Sequence, residues 1–107
     1  MVQAKRFSIV YHSRLKEHLR SIDRKYHSLI RENIETQLRF EPDVKTRNRK
    51  LLRGSPIFEA SWEIRFGPEN RFRVFYDVVR SRYEVDIVAI GEKDGNRLLI
   101  GGEEINA

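Results

Sequence analysis

Apolar and polar positions alternate along much of this chain, and the period of alternation changes at definite points. Residues 7–11 set Phe7, Ile9 and Tyr11 against Ser8 and Val10, the period of two expected of a strand. Ser13 then stands where a helix cap would accept an otherwise unpaired first-turn N–H. Leu15, Leu19 and Ile22 recur at spacings of four and three and form one apolar stripe, with Arg14, Lys16, Glu17 and Arg20 lying off it. After a connection over residues 23–27, Ile30, Ile34 and Leu38 form a second stripe. It predicts a helix over 28–39, which Pro42 prevents from continuing. Two amphipathic helices joined this closely predict an antiparallel hairpin. Such a hairpin must bury its stripes on a sheet.

The sheet is predicted next. Over residues 57–66, Phe58, Ala60, Trp62, Ile64 and Phe66 point one way, while Glu59, Ser61, Glu63 and Arg65 point the other. Further strands are expected over 71–79 and 83–90, joined by Gly67-Pro68-Glu69-Asn70 and Arg80-Ser81-Arg82. Connections this short imply an antiparallel meander. Residues 85–90 are apolar on both faces apart from Asp86, which predicts a central strand. Residues 91–95 read as a turn. Leu98, Leu99 and Ile100 followed by Gly101-Gly102 predict a short last strand or an irregular tail. The expected architecture is α+β in the order β-α-α-β-β-β, a helical hairpin packed on one face of a mostly antiparallel twisted sheet.

Composition narrows the chemistry. With 107 residues the chain is expected to be a single domain spanning 1–107. Its charged fraction is 35% and its net charge +5, which favours an anionic partner: RNA, DNA, an anionic surface or an acidic protein. It has no cysteine, which removes disulfides and thiolate metal sites. His12, His18 and His27 have neither the spacing nor the neighbouring carboxylates of a metal site, so no metal is expected. A P-loop, a dinucleotide glycine motif and a nucleophile elbow are all missing, and no cofactor is expected. The first residues do not form a secretory apolar core, and no apolar run approaches the roughly 20 residues that span a bilayer. The expectation is a cytoplasmic protein with no membrane partner.

What remains is arginine and lysine. The run from Lys45 through Arg47, Arg49 and Lys50 to Arg53 feeds the second predicted strand. Arg65 shares a face of that strand with Glu63, while Arg73 shares a face of the next with Arg71 and Phe75. If the helices cover the Trp62, Ile64, Val74 and Tyr76 side, Arg65 and Arg73 emerge together on the other. Lys93 follows the fourth strand. Guanidinium forks could then clamp phosphates while Phe75 or Tyr83 stacks a base. The plainer alternative is that Glu63, Arg65, Arg73 and Asp77 form ordinary cross-strand ion pairs on a wet sheet face.

Several stretches together resemble the RelE/ParE superfamily of bacterial type II toxin–antitoxin toxins. They are Lys50-Leu51-Leu52-Arg53-Gly54, Phe58-Glu59-Ala60-Ser61-Trp62-Glu63-Ile64-Arg65-Phe66, Arg71-Phe72-Arg73-Val74-Phe75-Tyr76-Asp77-Val78 and Val85-Asp86-Ile87-Val88-Ala89-Ile90-Gly91. The resemblance runs from Phe7 to about Lys93. It implies a microbial RNase-like fold, a cognate antitoxin that wraps the toxin and, in the RelE branch, metal-independent cleavage of mRNA on the ribosome. There the RNA 2′-hydroxyl attacks the adjacent phosphorus, and basic side chains stabilise the developing charge.

By the same resemblance Arg65 and Arg73 match basic catalytic positions, Lys93 stands near the one after the fourth strand, and Lys50 and Arg53 match the loop that grips RNA. Two departures stand out: a second basic position on the strand is Glu63, and the C-terminal tyrosine of RelE-type enzymes is Leu99 or missing. Arginine cannot act as a general base, so Glu63, or a Lys93 with a depressed pKa, would take the proton. Three readings stay open. They are a ribosome-dependent mRNA endonuclease, a ParE-like inhibitor of DNA gyrase that needs no catalytic residue, and a non-catalytic member that only binds an antitoxin.

Overall fold

The computed structural model describes residues 5–53 and 57–105; Gly54, which closes the first of the motifs above, lies outside the described residues. The chain is α+β, with β1 (Ser8–Tyr11), α1 (Leu15–Arg20), α2 (His27–Gln37), β2 (Arg49–Leu51), β3 (Trp62–Phe66), β4 (Phe72–Val79), β5 (Glu84–Asp94), β6 (Arg97–Ile100) and β7 (Glu103–Glu104). One seven-stranded sheet runs β2-β3-β4-β5-β6-β7, and β1 joins it by pairing with β5. Among the described residues only the β1–β5 pairing is parallel, and the other pairings are antiparallel. Among the described residues no helix is long and apolar enough to cross a membrane.

The expected meander is present as β3-β4-β5, and β5 is central, but the sheet is larger than predicted. A short strand, β2, lies inside the basic run and pairs with β3. The strand expected from residue 57 begins at Trp62. Phe58 and Glu59 adopt left-handed backbone (φ 48 and 59), which breaks the extended run and leaves Phe58 exposed. Gly91 is no turn residue. It sits within β5, where an added Cβ would lie 2.9 Å from a Leu98 methyl, so glycine permits the close approach of β6. The chain reverses instead around Gly95 and Asn96.

The helices are also shorter than the stripes suggest. Ser13 does not cap α1; the N-cap position is Arg14, with no side-chain cap bond. Ser13 and His12 use their backbone carbonyls instead, accepting from Lys16 N and Leu15 N. Within the predicted connection, Asp23 caps a 3₁₀ turn, Arg24–Tyr26, by accepting from Lys25 N at 3.0 Å.

Among the described residues two clusters form the core. Beneath the helices, Ile30, Ile34 and Leu38 pack with Trp62, Ile64, Phe72, Val74, Tyr76, Val85 and Ile87. A smaller one on the opposite face gathers Ile57, Ala60, Phe75, Ala89 and Ile100. Buried Tyr76 donates its hydroxyl to Pro42 O at 2.7 Å, which ties the segment after α2 to β4.

One irregularity positions the rest. The β4–β5 register shifts between Phe75 and Tyr76, so that Phe75 opposes Ala89 while Tyr76 opposes Ile87. The extra residue, Val88, reverses the alternation of β5. Val85 and Ile87 face the helices, as does Ile90, whereas Ala89 joins the opposite cluster. Beyond the bulge Gly91 opposes Arg73, so Lys93, two residues further on, returns to the face of Arg73.

Candidate active site

Arg65 and Arg73 are cross-strand partners in the β3–β4 ladder, and Glu63 is the partner of Phe75 one step along the same face. The turn that joins these strands is shaped by Gly67 (φ 85), where any Cβ would strike the Phe72 ring at 2.7 Å. Two like-charged guanidiniums set opposite each other need a counter-charge, and Glu63 supplies it. Its Oε1 accepts from Arg73 Nη1 at 3.1 Å and from Arg65 Nε at 3.3 Å. Its Oε2 lies 3.5 Å from Lys50 Nζ, delivered by β2. One carboxylate thus holds three cations, and the group keeps net positive charge.

The members differ in exposure. The Glu63 and Arg73 side chains are 5% and 11% exposed, against 35% for Arg65 and 54% for Lys50. Arg73 Nε is buried without a hydrogen-bond partner. A cavity of about 430 Å³ opens beside Arg73, lined by Pro68, Glu69, Arg71, Arg73, Lys93 and Gly95. Lys93 has no ion-pair partner among the described residues. Arg65, Arg73, Lys93 and Glu63 therefore belong to one connected region: a nearly buried arginine and its buried counter-ion, a half-exposed arginine, and a lysine on the cavity wall.

The remaining expectations divide. Arg49 is not available to RNA. It is buried and spends its guanidinium on the backbone, with Nη2 donating to Gln37 O at 2.7 Å and Nη1 to the carbonyls of Val44 and Glu41. It fastens the segment after α2 to β2. Phe75 is not a stacking platform. It is 1% exposed and packs with Ala89 and Ile100, because the C-terminal strands and residues 57–60 cover that part of the face. Tyr83 is also committed, its ring 5.2 Å from that of Phe7.

Lys45, Arg47 and Arg53 are exposed and, among the described residues, have no ion-pair partner and no salt bridge to the cluster. Arg80 grips Asp43 through two hydrogen bonds of 2.8 and 2.9 Å and holds that carboxyl below the usual carboxylate range. Together with Arg49, this clamp anchors the base of the loop that carries Lys45 and Arg47.

Sequence patterning placed Arg73 and Lys93 at the site but missed the part of the cavity wall that Arg71 forms. Arg71 donates from Nε to Glu92 at 2.5 Å and lies 4.8 Å over the Tyr26 ring, so it seals the cavity's flank. Its only signal was a position two residues before Arg73. The structure also gives His18 a role. β1 and β6 share one edge of β5 and leave a gap between them, where Ile90 N donates to His18 Nδ1 at 3.2 Å. Burial, with the charge of Arg14 nearby, lowers the pKa of this imidazole. Among the described residues no group of three or more His, Asp or Glu side chains is arranged to hold a metal ion. No protein family, curated protein or solved structure matches this chain.

Proposed function

We propose that the protein is the toxin of a type II toxin–antitoxin system, and that it cleaves mRNA on the ribosome without a metal ion. The observation that supports this best is the Arg65–Arg73 pair, in register on adjacent strands around Glu63, with Lys93 lining the cavity beside Arg73. In this reading the scissile phosphate occupies the cavity mouth. The 2′-hydroxyl forms a bond to phosphorus as the bond to the 5′-oxygen breaks. Arg73 and Arg65 neutralise the additional charge of the phosphorane, the task of preorganised donors in a partly dry site.

The proton of the 2′-hydroxyl goes to Glu63 Oε2, which lies 3.5 Å from the half-exposed Lys50, while Oε1 accepts from both arginines. The departing 5′-oxygen takes a proton from Lys93 or from water. The products are a 2′,3′-cyclic phosphate and a 5′-hydroxyl. Lys45, Arg47 and Arg53 add charge outside this centre and draw the polyanion in.

The test is purified protein incubated with programmed ribosomes and a defined message. Cleavage within the ribosome-bound codon, with cyclic-phosphate ends, is expected, and naked RNA should be cut far more slowly. Inhibition of DNA supercoiling with intact message would instead identify a gyrase inhibitor.

A further inference from the structure

The cavity beside Arg73 has an end that the cleavage chemistry leaves unused. Arg71 follows the 3₁₀ turn Pro68–Asn70, and its backbone is still helical (φ −60, ψ −36) rather than extended. Its side chain leaves the strand alternation and lies 4.8 Å over the Tyr26 ring and 5.8 Å from the centre of the Phe72 ring. Those two rings pack against each other at 5.1 Å. Nε donates to Glu92 Oε2 at 2.5 Å, and Nη1 donates to the Tyr26 hydroxyl at 3.5 Å. An aromatic ring beneath and a carboxylate at the edge fix the guanidinium plane, yet 41% of the side chain is exposed. The buried Phe75 presents no such surface.

The charge of the lining separates this end from the phosphate end. Glu69 is the one carboxylate among the lining residues, and it has no ion-pair partner among the described residues. The other carboxylates nearby are engaged: Glu92 by Arg71, Glu63 by Arg73 and Arg65, and Asp94 by Arg97. Glu69 is also held in left-handed backbone (φ 55), a strained setting of the kind that collects at ligand sites. Beside its carboxylate a second phosphate is repelled, whereas an N–H of a base finds an acceptor.

We propose that this end of the cavity binds the base of the nucleotide that follows the cleaved phosphate, stacked on Arg71. Unpaired bases of RNA stack on guanidinium planes as they do on aromatic rings. Which nucleotide it is rests on the RNA-cleavage reading: Lys93 serves the departing 5′-oxygen, and that oxygen belongs to the following nucleotide. Lys93 and Arg71 line the same cavity, and Lys93 N donates to Arg71 O at 2.8 Å. The wall at Gly95 is bare backbone, where an added Cβ would meet nothing within 4 Å, and it leaves room for a planar ring.

Two measurements keep the two possible failures apart. In the first, the isotope-labelled full chain is titrated with the dinucleotide UpA and with the same molecule lacking its adenine, both 2′-O-methylated on the uridine so that neither can be cut. UpA is expected to bind about fivefold tighter or more and to shift the Arg71 Nε–H and Gly95 N–H resonances. Arg71→Lys keeps the charge without the plane, so it should bind both probes equally, and Tyr26→Leu should lose most of the preference. In the second, single-turnover cleavage of a ribosome-bound message is compared with that of a message abasic just after the break. The parent should be about tenfold slower on the abasic message, and Arg71→Lys should not tell the two apart. Equal binding of the two dinucleotides, a preference for UpA that survives Arg71→Lys, shifts confined to residues outside the cavity, or cleavage indifferent to the missing base would each overturn the proposal. Base-dependent binding at Arg71 by a protein that cuts no message would overturn the cleavage reading and support the base site alone.

Discussion

The two faces of the β3-β4-β5 sheet are built from alternate residues of the same three strands, yet they have little else in common. The face beneath the helices is apolar from end to end, with Ile64, Phe72, Val74, Tyr76, Val85 and Ile87 fully buried. The opposite face is divided. Arg65, Arg73 and Lys93 lie toward one end and Asp77, Asp86 and Glu84 toward the other, with Phe75, Ala89 and Ile100 forming an apolar strip. One face specifies the fold by burial, while the other stores charge at positions the strand period makes available. Substitutions should separate along the same line, costing stability on the first face and function at the basic end of the second.

Phe75 is the sharpest test of that division, because it lies on the charged face but behaves as core. Phe75→Ala is expected to lower the unfolding free energy in urea by about 3–5 kcal/mol. Reduced RNA affinity with unchanged stability would instead return Phe75 to the binding surface.

Next in size is the counter-ion. Glu63→Ala leaves the nearly buried Arg73 guanidinium without its partner and is expected to cost about 3 kcal/mol, on the order seen when one half of a buried pair is removed. Glu63→Gln should recover much of that stability, since the amide oxygen still accepts from the arginines, but not cleavage, since an amide cannot take the proton. Equal activity of Glu63→Gln and the parent would remove Glu63 from the chemistry.

The smallest effect is expected at the acidic end. Burial, with the neighbouring Glu84 carboxyl, pushes Asp86 up to about 6, above its ordinary 3.8. The folded state therefore binds this proton more tightly than the unfolded one, and Asp86 weakens the fold as pH rises from 3.8 through about 6. Asp86→Asn should be more stable than the parent at neutral pH, with the gain shrinking as pH falls. His18 has the opposite sign. Its pKa is lowered from 6.5, so stability is lost as pH falls below that value. The His18 limb should stand out most clearly in Asp86→Asn, where the opposing slope is gone. Urea midpoints across this range check both signs.

Much of the architecture was legible in the chain. The period of two in residues 57–66 and 71–79 carries the β3–β4 pairing, and the residues between Arg65 and Arg73 fix a turn short enough to set the two guanidiniums opposite each other. Lys93 was harder. Simple alternation from Val85 and Ile87 would send it to the helical face, and only the bulge at Val88 returns it to the side of Arg73. Arg49 and Phe75 misled for related reasons: Arg49 stands opposite Ile64 and turns to the helical side, and Phe75 lies on the expected face, but burial depends on what covers each face. The carbonyls after α2 claim Arg49, and β6 with residues 57–60 cover Phe75. Neither cover has a local signature.

The most direct measurement is single-turnover cleavage of a ribosome-bound message by the parent and by Arg73→Ala, with the variant first shown to be folded. Loss of one preorganised donor to the phosphorane should slow the reaction by about 10²-fold or more, and Arg73→Lys should recover only part of the rate, because an ammonium lacks the planar fork. Cleavage by Arg73→Ala at the parental rate would contradict the proposed centre.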